Sequence, residues 1–116
     1  MTDCLFCKIV SREIPGSIVY EDDHVLAFSD INPQAPTHVL LVPKRHIASL
    51  SEATMDDAGV LGRMLTLAGR LAREQGSAEG FRTIVNTGRI GRQDVMHVHL
   101  HILGGTTPLG HMLPRS

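Results

Sequence analysis

His97, His99 and His101 alternate with Val98, Leu100 and Ile102 in the run His97-Val98-His99-Leu100-His101-Ile102-Leu103. A two-residue period is that of a β-strand, so the three imidazoles share one face at steps of about 6.6 Å while the aliphatic residues point into apolar packing. A lone histidine on a strand is more often a satisfied polar residue than a catalyst. Here three of the chain's seven histidines fall within five positions, and imidazole is the side chain that nucleophilic, acid, base and metal chemistry near pH 7 all favour. Cys4 and Cys7, the chain's two cysteines, are spaced as C-x-x-C. That spacing is poorly suited to stapling a fold and well suited to a metal clip, with redox chemistry as its other reading. The loop Thr87-Gly88-Arg89-Ile90-Gly91-Arg92-Gln93-Asp94 leads into the histidine run, and its glycines would let backbone approach a phosphate.

The segments around these residues must place them. Cys4 to Glu13 reads as a short helix stopped by Ile14-Pro15-Gly16. Ser17–Glu21 and His24–Ser29 read as a hairpin turning at Glu21-Asp22-Asp23. A proline-containing loop, Asp30 to Thr37, delivers His38 to a buried strand that ends at Pro43. Leu61, Met64, Leu65, Ala68, Leu71 and Ala72 recur at three- and four-residue steps, which predicts one long amphipathic helix over Thr54–Gln75. Thr54 is its expected N-cap, and Arg70, Arg73 and Gly76 suit its other end. Phe81–Asn86 is a further strand. The whole is an α+β domain.

At 116 residues the chain forms one domain, 1–116, large enough for a core without disulfides. A formal charge of −1 with scattered basic residues gives no field for a nucleic-acid polymer. No apolar run approaches the ~20 residues that span a bilayer, and Met1-Thr2-Asp3-Cys4 lacks the basic start of a leader. The expectation is a protein of the cytoplasm with neither membrane nor nucleic-acid partner.

The histidine run, the loop before it and Asp30-Ile31-Asn32-Pro33-Gln34-Ala35-Pro36-Thr37-His38 together resemble the histidine triad (HIT) superfamily, and most closely its Hint branch of nucleoside phosphoramidate hydrolases. The resemblance implies a five-stranded antiparallel sheet with one long and one short helix, paired as a homodimer through the long helix and the Phe81–Asn86 strand. It implies a purine nucleotide substrate of AMP-lysine or aminoacyl-adenylate type. His99 would attack the α-phosphorus to form a nucleotidyl-histidine, its other ring nitrogen held by the carbonyl of His97. His101 and His38 would flank the phosphoryl group and assist proton transfer. Asn86, Gln93 and the Gln93–Val95 loop, Asp94 and Val95 included, would orient the phosphate. Asp30 would accept from the ribose hydroxyls, and Ile9, Ile14, Phe28 and Ile31 would form the cleft for the base.

The resemblance also implies a structural zinc held by Cys4, Cys7, His46 and His97, two thiolates and two imidazoles being a complete tetrahedral shell. Asp94 stands where eukaryotic Hint proteins carry a serine, and an acidic group there should favour amine leaving groups. The tail Thr106–Ser116 has a bacterial Pro-Leu-Gly-x-Met-Leu pattern, in a segment that reaches toward the partner's site in Hint dimers. Two other functions use the same residues: dinucleoside polyphosphate hydrolysis or nucleotidyl transfer, and nucleotide binding as an interaction module.

Overall fold

The computed structural model describes residues 4–113. The expectations for Met1-Thr2-Asp3 and for the last three residues of the tail lie outside them. A short helix α1 spans Leu5–Val10, and Cys4 caps it by accepting the Cys7 N–H on its sulfur. It ends earlier than Glu13. Arg12 takes a left-handed φ of 68°, and the Glu13 N–H returns to the Lys8 carbonyl while the Arg12 N–H returns to that of Ile9. These are the paired bonds of a left-handed helix terminus, closed before Pro15 is reached.

Strands β1 (Ile18–Glu21) and β2 (Val25–Ser29) form the expected hairpin. Asp22 fixes its turn by accepting the His24 and Val25 N–H groups. Strand β3 (Thr37–Pro43) is buried throughout. A 3₁₀ turn, Met55–Asp57, precedes helix α2 (Ala58–Glu74), so the long helix starts later than Thr54. Thr54 caps the turn, with Asp57 reaching back to the Thr54 N–H. Strand β4 is only Arg82–Ile84, shorter than Phe81–Asn86, and β5 is Leu100–Gly104.

The five strands form one antiparallel sheet in the order β1-β2-β3-β5-β4. Alternation sorts its two faces. Val25, Ala27, Val39, Leu41, Val98, Leu100 and Ile102 pack beneath α2 with Met64, Ala68, Leu71 and Ala72. On the other face Leu26, Phe28, Leu40 and Val42 pack with Phe6 and Ile9 of α1, which leaves the β5–β4 side of that face uncovered by a helix.

Only the end of the histidine run is in the sheet. His97 and His99 precede β5, a correction to the strand expected over His97–Leu103. The β3–β5 ladder stops at Leu41–Leu100. Farther along β3, Pro43 has no N–H and its carbonyl accepts from the His97 ring, while the Val98 N–H turns to the Ile47 carbonyl. The side-chain alternation persists without the ladder. Val98 stays in the core under α2, and His99 stacks edge-on between Phe6 and His101, with ring centroids 4.9 and 5.1 Å away.

Candidate active site

The ring nitrogens of the four central histidines can be assigned protons from their partners, since a carbonyl oxygen must receive an N–H and a backbone N–H must meet a lone pair. His99 Nδ1 lies 2.8 Å from the His97 carbonyl oxygen and donates to it. Its Nε2 therefore keeps the lone pair. Asp94 Oδ1 lies 3.5 Å from that nitrogen, on a side chain 82% exposed. An imidazole pinned through one nitrogen, with the lone pair kept on the other, is a nucleophile that needs no separate base.

His38 and His101 form a chain. The Gln34 backbone N–H donates to His38 Nδ1 at 3.0 Å, so the hydrogen of His38 sits on Nε2 and is shared with His101 Nδ1 at 2.9 Å. His101 is left with its hydrogen on Nε2. Asp30 Oδ2 lies 3.4 Å from His38 Nε2, while Asp30 Oδ1 accepts from the Asn32 N–H at 2.8 Å. Burial holds both His38 and His101 below the ordinary imidazole pKa, with Asp30 opposing it in each case. Burial thus disfavours the charged form of both rings, in keeping with the proton assignment.

Two clusters of metal-ligating atoms occur among the described residues: Cys4, Cys7, His46 and His97, and Asp30, His38 and His101. Hydrogen bonding separates them. His97 gives its Nε2 hydrogen to the Pro43 carbonyl at 2.8 Å, so Nδ1 holds a lone pair. That lone pair faces Cys4 Sγ at 3.2 Å, Cys7 Sγ at 3.4 Å and His46 Nδ1 at 3.3 Å. Nitrogens about 2.05 Å from one tetrahedral centre lie about 3.3 Å apart, and nitrogen–sulfur edges are slightly longer. The donor set fits a zinc ion. His38 does not suit a metal, because ligation through Nε2 would put its remaining hydrogen on Nδ1, against the Gln34 N–H. The second cluster is a proton chain. Burial also lowers the His97 pKa, which favours the neutral ring that ligation requires.

The remaining expected residues divide between the mouth of the site and its scaffold. Gln93 is scaffold: its amide hydrogens go to the Ala48 and Val95 carbonyls and its oxygen takes the Gly88 N–H. No donor is left for a phosphate, so Gln93 holds the loop that would carry one. Asn86 donates to the Gly91 carbonyl within the same loop. Gly91 permits this closure, since a Cβ there would sit 2.4 Å from the Thr87 carbonyl oxygen. Ile9 and Phe28 are buried in the core beneath α1, Ile14 and Val95 pack at its edge, and Ile31 stands 90% exposed on the loop before β3. Three contributors had no signal in the sequence. They are Phe6 against His99, the Gln34 N–H on His38, and the Pro43 carbonyl on His97, each a contact between segments remote in the chain or a main-chain group.

Comparison with known proteins agrees with this geometry. Residues 11–107 match the HIT domain family. A purine nucleoside phosphoramidase of Escherichia coli strain K12 is 50% identical over 112 residues, covering 96% of this chain and 93% of that protein. A HIT-like protein of Synechococcus elongatus is 52% identical over 103 residues, 89% of this chain and 90% of its own. Among solved structures, a HIT family hydrolase from Clostridium thermocellum superposes with a TM-score of 0.90 at 44% identity, covering 97% of this chain and 99% of that one.

Proposed function

We propose, from the premise that this chain belongs to the HIT domain family, that it is a nucleotide hydrolase cleaving purine nucleoside 5′-phosphoramidates. The observation that carries this is the state of His99, with Nδ1 fixed on the His97 carbonyl and Nε2 free to attack phosphorus. His99 displaces the leaving amine and becomes nucleotidylated, and water then releases the nucleotide. Splitting one displacement into two lets the same groups serve both halves. His101 presents its Nε2 hydrogen to the phosphoryl group, and the His38–His101 chain relays the proton that the departing nitrogen takes up and the incoming water returns. Asp30 accepts from the ribose. Asn86 and Gln93 act through the Thr87–Val95 loop they hold, and Ile9, Ile14, Phe28 and Ile31 border the base. Asp94, at the mouth, favours amines over acidic leaving groups.

Zinc would be held by Cys4, Cys7, His46 and His97 and would supply a structural cross-link. The residues themselves place the cross-link well: Cys4 and Cys7 start α1, and His97 carries the carbonyl that orients His99. Thiolate ligands require reduced cysteines, which accords with the cytoplasm. No helix among the described residues is long and apolar enough to cross a membrane. A homodimer through α2 and β4 is supported by exposed Leu65 on α2 and by Phe81, which lies over Gly69 one helical turn away, beside edge strand β4.

A turnover panel of adenosine and guanosine phosphoramidates, diadenosine polyphosphates and sugar nucleotides tests the activity. The highest kcat/KM is expected on a phosphoramidate. Turnover confined to polyphosphates would instead favour dinucleoside polyphosphate hydrolysis.

A further inference from the structure

The four residues of the cysteine clip differ in where they come from. His46 and His97 lie on segments remote from each other in the chain, whereas Cys4 caps α1 and Cys7 lies in its first turn. Residues spaced i, i+3 across a helical turn have Cα atoms about 5 Å apart, inside the range of about 4.4–6.8 Å that a disulfide spans. The turn is already closed, since the Lys8 N–H donates to the Cys4 carbonyl at 3.1 Å and the Cys7 N–H to Cys4 Sγ at 3.2 Å. The ligand atoms of all four residues lie within 4.8 Å of one another. Rotation of the two side chains can therefore join the sulfurs with the turn intact.

Burial falls off across the clip. His97 is fully buried, Cys4 and Cys7 are half-buried, and His46 is exposed. Solvent thus meets the clip on the His46 side, where Cys7 Sγ lies 3.3 Å from His46 Nδ1. The susceptibility of a sulfur to oxidants follows its thiolate character and its exposure, and zinc ligation requires the thiolate. Cys4 and Cys7 are also the only cysteines of the chain, so within one molecule each has a single possible disulfide partner.

We propose that Cys4 and Cys7 are an oxidation site for hydroperoxides, and that joining them as a disulfide opens the clip and releases α1 from the catalytic segment. With hydrogen peroxide, Cys7 Sγ attacks one oxygen, the O–O bond breaks, and the other oxygen takes up a proton and leaves as water. Cys4 Sγ then attacks the sulfenic sulfur of Cys7, the S–S bond forms, and the sulfenic hydroxyl takes up a proton and departs as a second water. The two sulfurs lose the two electrons that the peroxide gains. Two ligating thiolates become a neutral disulfide, which no longer holds zinc. His97 keeps its hydrogen bond to the Pro43 carbonyl, while α1 is left with the apolar packing of Phe6 and Ile9. A helix of six residues does not persist on its own, and a disulfide within one turn does not replace a link between elements. Oxidation of the pair requires the zinc clip but not the hydrolase activity proposed above.

Titration of the zinc-loaded protein with hydrogen peroxide, in the presence of a chromophoric zinc indicator, provides the test. Close to one zinc should be released for each disulfide formed. The disulfide is read by mass spectrometry of the peptide that ends at Lys8, which should be lighter by two hydrogens and refractory to alkylation. The melting temperature should fall by about 4 °C or more, and dithiothreitol with added zinc should restore it. Oxidation of the exposed Met55, Met96 and Met112 gives sulfoxides that dithiothreitol does not reverse, which separates the two effects. The double variant Cys4→Ser, Cys7→Ser should show no fall that dithiothreitol reverses. Thiols that survive the peroxide, zinc retained while they are consumed, sulfinic acid in place of the disulfide, or disulfides between chains would each overturn the proposal and leave the hydrolase function standing. Protein that carries no zinc when purified without chelator overturns the clip and its oxidation together.

Discussion

At the scale of single residues, the three triad histidines have separate tasks because their hydrogen-bond partners differ. His97 gives its hydrogen to a carbonyl and turns its lone pair to two sulfurs. His99 gives its hydrogen to the carbonyl of His97 and keeps its lone pair on Nε2, 3.5 Å from Asp94 Oδ1. His101 receives a hydrogen from His38 and presents its own. The pKa shifts of His38 and His101 follow from burial and have a testable sign. His38 and His101 are held below the ordinary value of about 6.5, so in acid the unfolded chain binds protons that the folded one resists. Stability from these groups is present above the unfolded pKa and is lost as pH falls below it. Denaturation midpoints should therefore drop between pH 7 and pH 5, and the drop should shrink in His38→Gln. An equal drop in that variant would show that His38 is not the cause. Asp30→Asn should weaken binding of ribonucleotides by the loss of a charged acceptor, a term of about 1.5–3 kcal/mol that an amide only partly replaces. Wild-type KM values that are the same for ribo and dideoxyribo substrates would contradict the contact.

At the scale of elements, the positions of the secondary structures were legible in the sequence and their ends were not. Alternating Val98, Leu100 and Ile102 marked the core face correctly even where the ladder fails, because side-chain direction needs only extended backbone. The strand's true start depended on Pro43, whose missing N–H and occupied carbonyl end the pairing from a distance in sequence. Likewise α1 ends at Val10, closed by the left-handed turn at Arg12, which backbone geometry and not residue type signals. The Gly104-Gly105 pair after the last histidine carries a constraint that appears only in three dimensions. A Cβ on Gly104 would fall 1.9 Å from Ser77 Oγ. Ser77 cannot yield, since it is buried and bonded to the Gly80 carbonyl and the Gly105 N–H. Gly104→Ala should cost on the order of 1–3 kcal/mol as an overpacked site, measured by denaturant unfolding. Pairing it with Ser77→Gly should recover part of that loss, and purely additive losses would place the strain elsewhere.

The cysteine clip belongs to the same scale, because it joins an element to the site. Protein purified without chelator should carry close to one zinc per chain by elemental analysis. Removing it, or Cys4→Ser, should lower the melting temperature more than it lowers the activity of molecules that remain folded. Activity lost in proportion to metal at an unchanged melting temperature would make the metal catalytic.

At the scale of the whole molecule, a single sheet divides the protein into a stabilising half and a working half. Helix α2 packs over the central strands of one face, and α1 covers only part of the other, so that the histidines lie at the boundary between packed core and open cleft. Covalent catalysis through His99 is the claim on which the rest depends. His99→Ala should reduce kcat at least 100-fold, a barrier increase of about 2.7 kcal/mol, while AMP binding stays within tenfold. The most direct measurement is rapid quenching during turnover of an adenosine phosphoramidate, followed by peptide mass spectrometry. A peptide bearing AMP on His99 is the expected result. AMP on another residue, or burst-free turnover with no adduct at any quench time while His99→Ala retains more than about 1% of kcat, would contradict a nucleophilic His99.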